Sequence, residues 1–216
     1  MSNLLRTGAI LLCWGLAKYA ACGVETTPFM ELDLAGYLTQ DTNLKEFFGP
    51  VPPGTKVKFS PGGQIAVNMG AQITDWLAPS AEIGLMVNSI TSITGASHVG
   101  AALLNVPVLV NLRVQWPHRS RWAPFAGAGV GYTLSTLSTS RVTLGDTSIK
   151  GSDSDAVFTY QASAGLRYGD KDVGVSLTYR CLIFDNASWS FGSSSEKIRF
   201  GSALNQIFTI ALDVSF

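Results

Sequence analysis

The chain is 216 residues long, enough for one sizeable domain. Only 14% of its residues are charged, 15 Lys and Arg stand against 15 Asp and Glu, and the mean hydropathy is +0.24. A soluble domain carries about 25% charged residues, and a nucleic-acid partner calls for clustered Lys and Arg, so composition speaks against both classes.

Residues 1–23 have the form of an export signal. Arg6 supplies the positive region, Ala9 to Ala17 a short apolar core, and Ala21-Cys22-Gly23 small residues for cleavage. The apolar run is shorter than the roughly 20 residues that span a bilayer. Tyr19-Ala20-Ala21-Cys22 half resembles a lipobox, so acylation of Cys22 is the alternative, although Tyr19 stands where an aliphatic residue is preferred. Residues 24–216 are expected to form a single domain. Cys13 and Cys22 leave with the signal, and Cys181 alone cannot build a disulfide framework. Its parity makes it a small apolar side chain facing lipid.

Eight segments then alternate apolar and polar residues, the period of an extended strand with two unlike faces. In the first, Phe29 to Gln40, Met30, Leu32 and Leu34 oppose Glu31, Asp33 and Tyr37. In the second, Gly63 to Ile73, Ile65, Val67, Met69 and Ala71 oppose Gln64, Asn68 and Gln72. The third, about Ala81 to Ile90, sets Ile83, Leu85 and Val87 against Glu82, Gly84 and Asn88. The fourth, Leu104 to Trp116, carries Val106, Val108, Val110, Leu112, Val114 and Trp116 against Asn105, Asn111, Arg113 and Gln115. The fifth, Ala123 to Leu134, alternates Ala126, Ala128, Val130 and Tyr132 with Gly127, Gly129, Gly131 and Thr133. The sixth, Val157 to Tyr168, and the seventh, Val173 to Ile183, repeat the pattern, with Arg167 and Arg180 on their polar faces. The eighth closes the chain: Phe208, Ile210, Leu212, Val214 and Phe216 share one face, while Thr209, Ala211, Asp213 and Ser215 share the other.

Short connections (74–80, 117–121, 169–172) alternate with long polar ones (41–62, 91–102, 135–156, 185–202). That asymmetry, with both chain ends on the short-turn side, belongs to an outer-membrane barrel. Segments of about 10 residues also suit a crossing tilted by about 45°. Within the third long loop, Arg141 to Lys150 reads as a hairpin around Gly145-Asp146 that lengthens the fifth and sixth strands.

Which face points outward follows from the polar one. On a soluble barrel it meets water and is about 25–35% charged; here it is mostly Gly, Ser, Thr, Asn and Gln, which suits a cramped lumen. The apolar face carries almost no charge, as lipid requires, since a mid-bilayer cation costs about 2–4 kcal/mol. Glu31, Asp33, Glu82, Arg113, Arg167, Arg180 and Asp213 all have inward parity, and in low dielectric they are expected to pair. The expected role is a structural ion network that plugs the barrel and fixes register; a gate or proton relay, and a catalytic carboxylate set, are the alternatives. Phe29, Trp76, Trp116, Trp122, Tyr168 and Phe216 gather at the short-turn ends and are read as an interfacial girdle.

Val106-Pro-Val-Leu-Val-Asn-Leu-Arg113, followed by Trp122-Ala-Pro-Phe-Ala-Gly-Ala-Gly-Val-Gly-Tyr132, resembles the OmpA-like and opacity-type small outer-membrane barrels. Phe216 resembles the terminal signal read by the barrel-assembly machinery. The resemblance covers essentially all of residues 24–216 and implies an all-β, eight-stranded antiparallel up-and-down transmembrane β-barrel in the cell outer membrane. Its motifs are signals of fold. No peptidoglycan-binding domain follows, so the wall-anchoring role of OmpA is not carried over. Enzymes exist on such barrels, and a lipid deacylase there needs a His beside a Ser on a lipid-facing strand. His98 in a long loop and His118 in a short turn do not supply that, and metal-spaced clusters and phosphate loops are missing from the sequence. No enzyme activity, cofactor or metal is expected. The expected role is structural or adhesive, with outer-membrane lipid, lipopolysaccharide, the assembly machinery and an unidentified surface ligand as partners. A narrow pore or hydrophobic-ligand conduit and a lipid-modifying enzyme are the alternatives, and a soluble ligand-binding barrel the remaining one.

Overall fold

A computed structural model describes residues 26–116, 121–145, 147–191 and 197–216. The expected signal at 1–23, with its Cys13 and Cys22, lies outside the described residues, as do His118 and Asp146. All regular structure among the described residues is strand. The elements are β1 (Thr27–Thr39), β2 (Thr42–Phe47), β3 (Lys56–Phe59), β4 (Gly62–Gln72), β5 (Leu77–Ile93), β6 (Ala96–Gln115), β7 (Trp122–Leu144), β8 (Thr147–Gly169), β9 (Val173–Phe184), β10 (Ser188–Ser190), β11 (Lys197–Phe200) and β12 (Ala203–Ser215).

Eight of these strands close a ring in the order β1, β4, β5, β6, β7, β8, β9, β12 and back to β1, every neighbour antiparallel. Closure depends on first and last strands meeting in register: Met30 faces Val214, Leu32 faces Leu212 and Leu34 faces Ile210. A slip of one residue would turn every apolar side chain of β12 inward, so the alternation itself fixes this pairing. Leu34, Val110, Leu177 and Ile210 are exposed on the outer wall, whereas Glu31, Asp33, Glu82, Arg180 and Asp213 are buried inside. The apolar wall therefore faces lipid and the ionic groups face the lumen.

The wall does not stop at the membrane. The expected loop at 91–102 is the hairpin of β5 and β6, turning at Thr94-Gly95, where Gly95 takes φ +82. The expected loop at 135–156 is the continuing ladder of β7 and β8, which stays paired up to Leu144 and Thr147. Segments 41–62 and 185–202, also expected as loops, contain β2, β3, β10 and β11. These four pair in the order β10, β11, β2, β3, and β3 then pairs with the upper part of β5. Each stands above a membrane strand in the same order (β9, β12, β1, β4), joined to it across residues 185–187, 201–202, 40–41 and 60–61. The result is a second storey, a crown whose wall continues the barrel.

The crown escapes a reading tuned to lipid because its polarity is reversed. Leu44, Phe47, Val57, Ile93, Leu137, Val142, Ile149, Trp189, Ile198 and Phe200 turn inward and belong to one apolar core that continues down into the barrel lumen through Tyr37, Met86, Leu109 and Ile207. Outside, apolar residues give way to hydroxyls, with Thr136 Oγ1 2.8 Å from Ser154 Oγ and Thr143 Oγ1 bonded to Ser148 Oγ at 3.2 Å. The seam between β10 and β8 is closed by side chains: the Ser188 and Ser190 amides donate to the carboxylates of Asp155 and Asp153 at 2.8 and 2.6 Å.

Candidate functional site

The lower lumen holds the seven expected charges, brought together from six strands. Arg180 on β9 is the hub. Its Nη1 donates to Glu82 Oε1 on β5 at 2.8 Å, and its Nη2 donates to Thr209 Oγ1 at 3.1 Å and Gln64 Oε1 at 3.4 Å while lying 3.3 Å from Asp33 Oδ2. Two further pairs flank it. Arg113 meets Glu31, and Arg167 grips Asp213 Oδ1 through Nε at 2.8 Å and Nη2 at 2.6 Å. The Arg113 guanidinium also lies over the Phe125 ring, 4.7 Å from its centroid.

Amide side chains tie the pairs together, and these were not singled out from the sequence. Asn68 donates to Asp33 Oδ2 at 3.0 Å, while Asn111 and Gln161 donate to Glu82 Oε2 at 2.9 and 3.0 Å. Gln161 also donates to Asn111 Oδ1 at 2.7 Å. The signal was present: Asn111 and Gln161 share the inward parity of Arg113 and Arg167 on their strands, and Asn68 lies on the polar face of β4, a strand without charges. Gly129 explains how Asn111 fits, since a Cβ there would collide with its Oδ1.

Four carboxylates face three guanidiniums in this lumen, and Arg180 alone serves two of them. Among the described residues Asp33 Oδ1 and Asp213 Oδ2 have no hydrogen-bond partner. The space left over is a cavity of about 40 Å³ lined by Glu31, Asp33, Glu82, Asn111 and Arg180, among others. At about 10–15 Å³ each, it has room for a few waters.

Above the network the lumen becomes apolar. Tyr37, Met86, Leu109, Val157, Leu182 and Ile207 are buried there. A second cavity of about 30 Å³ sits higher still, lined by Phe59, Leu103, Phe184, Trp189 and Phe200 with Asn88, Asn105 and Asn205. Trp189 anchors this level: its Nε1 donates to the Ser135 carbonyl at 2.8 Å and its ring packs edge-on against Phe200 at 5.0 Å.

At the foot, Trp76, Trp116, Trp122, Tyr168 and Phe216 stand on the outer wall, and Trp122 lies 4.6 Å from its register partner Tyr168. Phe29 is a correction. It is 8% exposed, shares the inward parity of Glu31, and packs inside near Arg113. Ala71 is another: it is buried, because Gly70 and Ala71 both turn in and break the alternation at the end of β4. His98 lies on β6, opposite Thr143, rather than in a loop, and is exposed. Cys181 is half-buried on the outer parity, 3.5 Å from the Tyr179 hydroxyl.

Neither a protein-family model nor a curated protein sequence matches this chain. Solved structures do. The chain superposes on Neisserial surface protein A (NspA) with a TM-score of 0.55 at 13% identity, over 89% of this chain and 99% of that one. It superposes on outer membrane protein AlkL, determined in DMPC bilayers, with a TM-score of 0.54 at 12% identity, over 89% and 90%. At such identities the likeness is one of fold: the architecture is that of a small eight-stranded outer-membrane β-barrel.

Proposed function

We propose that this outer-membrane β-barrel is a non-enzymatic surface protein that presents a rigid crown to a ligand or partner outside the cell. The observation that carries this reading is the apolar core inside the crown, from Leu44 and Val57 across to Trp189 and Phe200. Loops that merely join strands have no need of a packed interior. An ordered platform does, because binding then avoids the entropy of ordering a loop. The filled lumen below supports the same reading, since an ion network topped by an apolar layer resists hydrated ions. In this reading the carboxylates and guanidiniums hold register, and Phe216, exposed at the foot, serves recognition by the assembly machinery.

The test is display of the protein on a non-adherent bacterium beside planar-bilayer recording of the purified barrel. Adherence to host cells or matrix without unitary conductance is expected. A steady conductance with no gain in adherence sinks the proposal. A second reading, a site for a small apolar ligand, is favoured by the aromatic lining of the upper cavity. Filling that cavity with Leu103→Trp would then abolish ligand binding while leaving adherence intact.

A further inference from the structure

The tip that joins β2 to β3 carries three prolines in four residues, Pro50-Val51-Pro52-Pro53, between Gly49 and Gly54. Pro50, Pro52 and Pro53 are exposed, whereas Phe48 and Val51 turn down and pack against the apolar core. The neighbouring β5–β6 turn stands level with Lys56, whose carbonyl accepts from the Thr94 amide at 2.9 Å. Residues 49–54 therefore project beyond that turn into the medium.

The backbone of the tip is held at both ends. At the near end Phe48 takes φ +54, a conformation costly for a bulky side chain. Its amide donates to the Lys197 carbonyl at 3.1 Å, and its ring meets Phe47 edge-on at 5.5 Å. Such strain persists only where the surroundings enforce it. Glu46 and Pro50 then bridge as an antiparallel pair. At the far end Pro53 and Gly54 occupy the centre of a type II turn, with Gly54 at φ +87. The Thr55 amide and hydroxyl close that turn by donating to the Pro52 carbonyl at 3.3 and 2.8 Å. Between the two ends each proline fixes its own φ and presses the residue before it toward extended conformations. The tip is set before any partner arrives.

Its chemistry is as narrow as its shape. Proline has no N–H, and among the described residues the carbonyls of Pro50, Val51 and Pro53 receive no hydrogen bond. The exposed surface thus joins apolar rings to bare acceptors. An extended proline run turns once in three residues, so Pro50 and Pro53 share an edge. A groove of Trp and Tyr fits that edge: ring faces pack on the pyrrolidines, and the indole N–H and phenol O–H supply the missing donors.

We propose that residues 49–54 are the contact segment of the crown and dock in a Trp- and Tyr-lined groove of a partner protein. The proposal rests on the display reading and gives it a place and a partner chemistry. A run already stiff and extended loses little conformational entropy on docking, which favours so small a contact.

The test is calorimetric titration of the protein, folded in phospholipid nanodiscs, with a panel of purified SH3 and WW domains, whose grooves carry those aromatic side chains. At least one domain should bind, and P50A/P53A should weaken it by about tenfold or more. Gly54→Ala meets no atom within 4 Å but resists φ +87, so it should weaken binding by a smaller factor without removing a contact. K150Q, on the β7–β8 hairpin, should bind as the parent does, and compact migration before boiling checks the fold of each variant. Binding by no domain overturns the proposal, as does parent-like binding by either tip variant or an equal loss in K150Q. Adherence of the displayed protein without domain binding counts against the tip alone; domain binding without adherence supports the tip and counts against the display reading.

Discussion

Gly174 makes room for Arg167. The glycine sits opposite Asp213 in the β9–β12 register, and a Cβ there would come within 2.5 Å of the Arg167 guanidinium. The missing side chain is what lets Arg167 reach across β9 to its carboxylate. Gly174→Ala should therefore displace the guanidinium and destabilise the barrel by about 1–3 kcal/mol, the cost of an unmade buried hydrogen bond. Gly36 is the control, since nothing lies within 4 Å of the Cβ it would gain; Gly36→Ala should stay within about 0.5 kcal/mol of the parent. Urea midpoints in lipid vesicles, read as loss of compact gel migration, compare the two.

Removing the hub of the lower lumen should be worse. Arg180→Met leaves Asp33 and Glu82, 2% and 3% exposed, without their shared cation. Breaking a buried ion pair from one side costs about 3–5 kcal/mol. The combined variant D33N/E82Q/R180M should recover most of that loss, because no charge is then left uncompensated. If the single and triple variants unfold at the same urea concentration, the ionic account of this layer is wrong.

The lipid-facing wall makes a depth-dependent prediction. Ile210, midway along β12 and exposed, should cost about 2–4 kcal/mol when replaced by Lys, whereas Val214→Lys near the foot should cost about 0–1 kcal/mol. Equal penalties in vesicles would mean that the wall does not cross a bilayer at this height.

Crown and membrane barrel should come apart by mutation. Trp189 is 1% exposed, holds the Ser135 carbonyl and packs on Phe200. Trp189→Ala should cost about 3–5 kcal/mol locally. Limited proteolysis should then cut within β10 and β11 while the remaining protein keeps its compact migration. Loss of that migration in the intact variant would show that the two storeys fold as one.

The membrane storey was legible because lipid imposes one simple rule. Every strand that crosses must be apolar on one face, and the outward face is apolar at every second position from Leu104 to Trp116 and from Phe208 to Phe216. The ionic side chains followed from the same parity. Their partners did not, because pairing is set by stagger around the ring, which no single strand encodes; Arg180 reaches β1, β4, β5 and β12 at once. The crown stayed hidden for another reason. In β3 and β11 the alternation lasts four residues each and has its apolar side facing in. A short strand with Lys at every second position reads as a polar loop. Phe29 failed as a girdle residue because its position at a strand end outweighed a parity it plainly shares with Glu31.

The links at 40–41, 60–61, 185–187 and 201–202 lie side by side on one half of the ring, while β5 to β8 run through both storeys. Two continuous pieces of sequence, from 40 to 61 and from 185 to 202, therefore carry that whole half of the upper wall. Grafting both from another barrel at once, together with the tips of the two long hairpins, would exchange the outward identity of the molecule without altering one contact to lipid. Substitution between those junctions leaves every lipid-facing residue of the anchor in place, so the exterior can be exchanged independently of the membrane part beneath it.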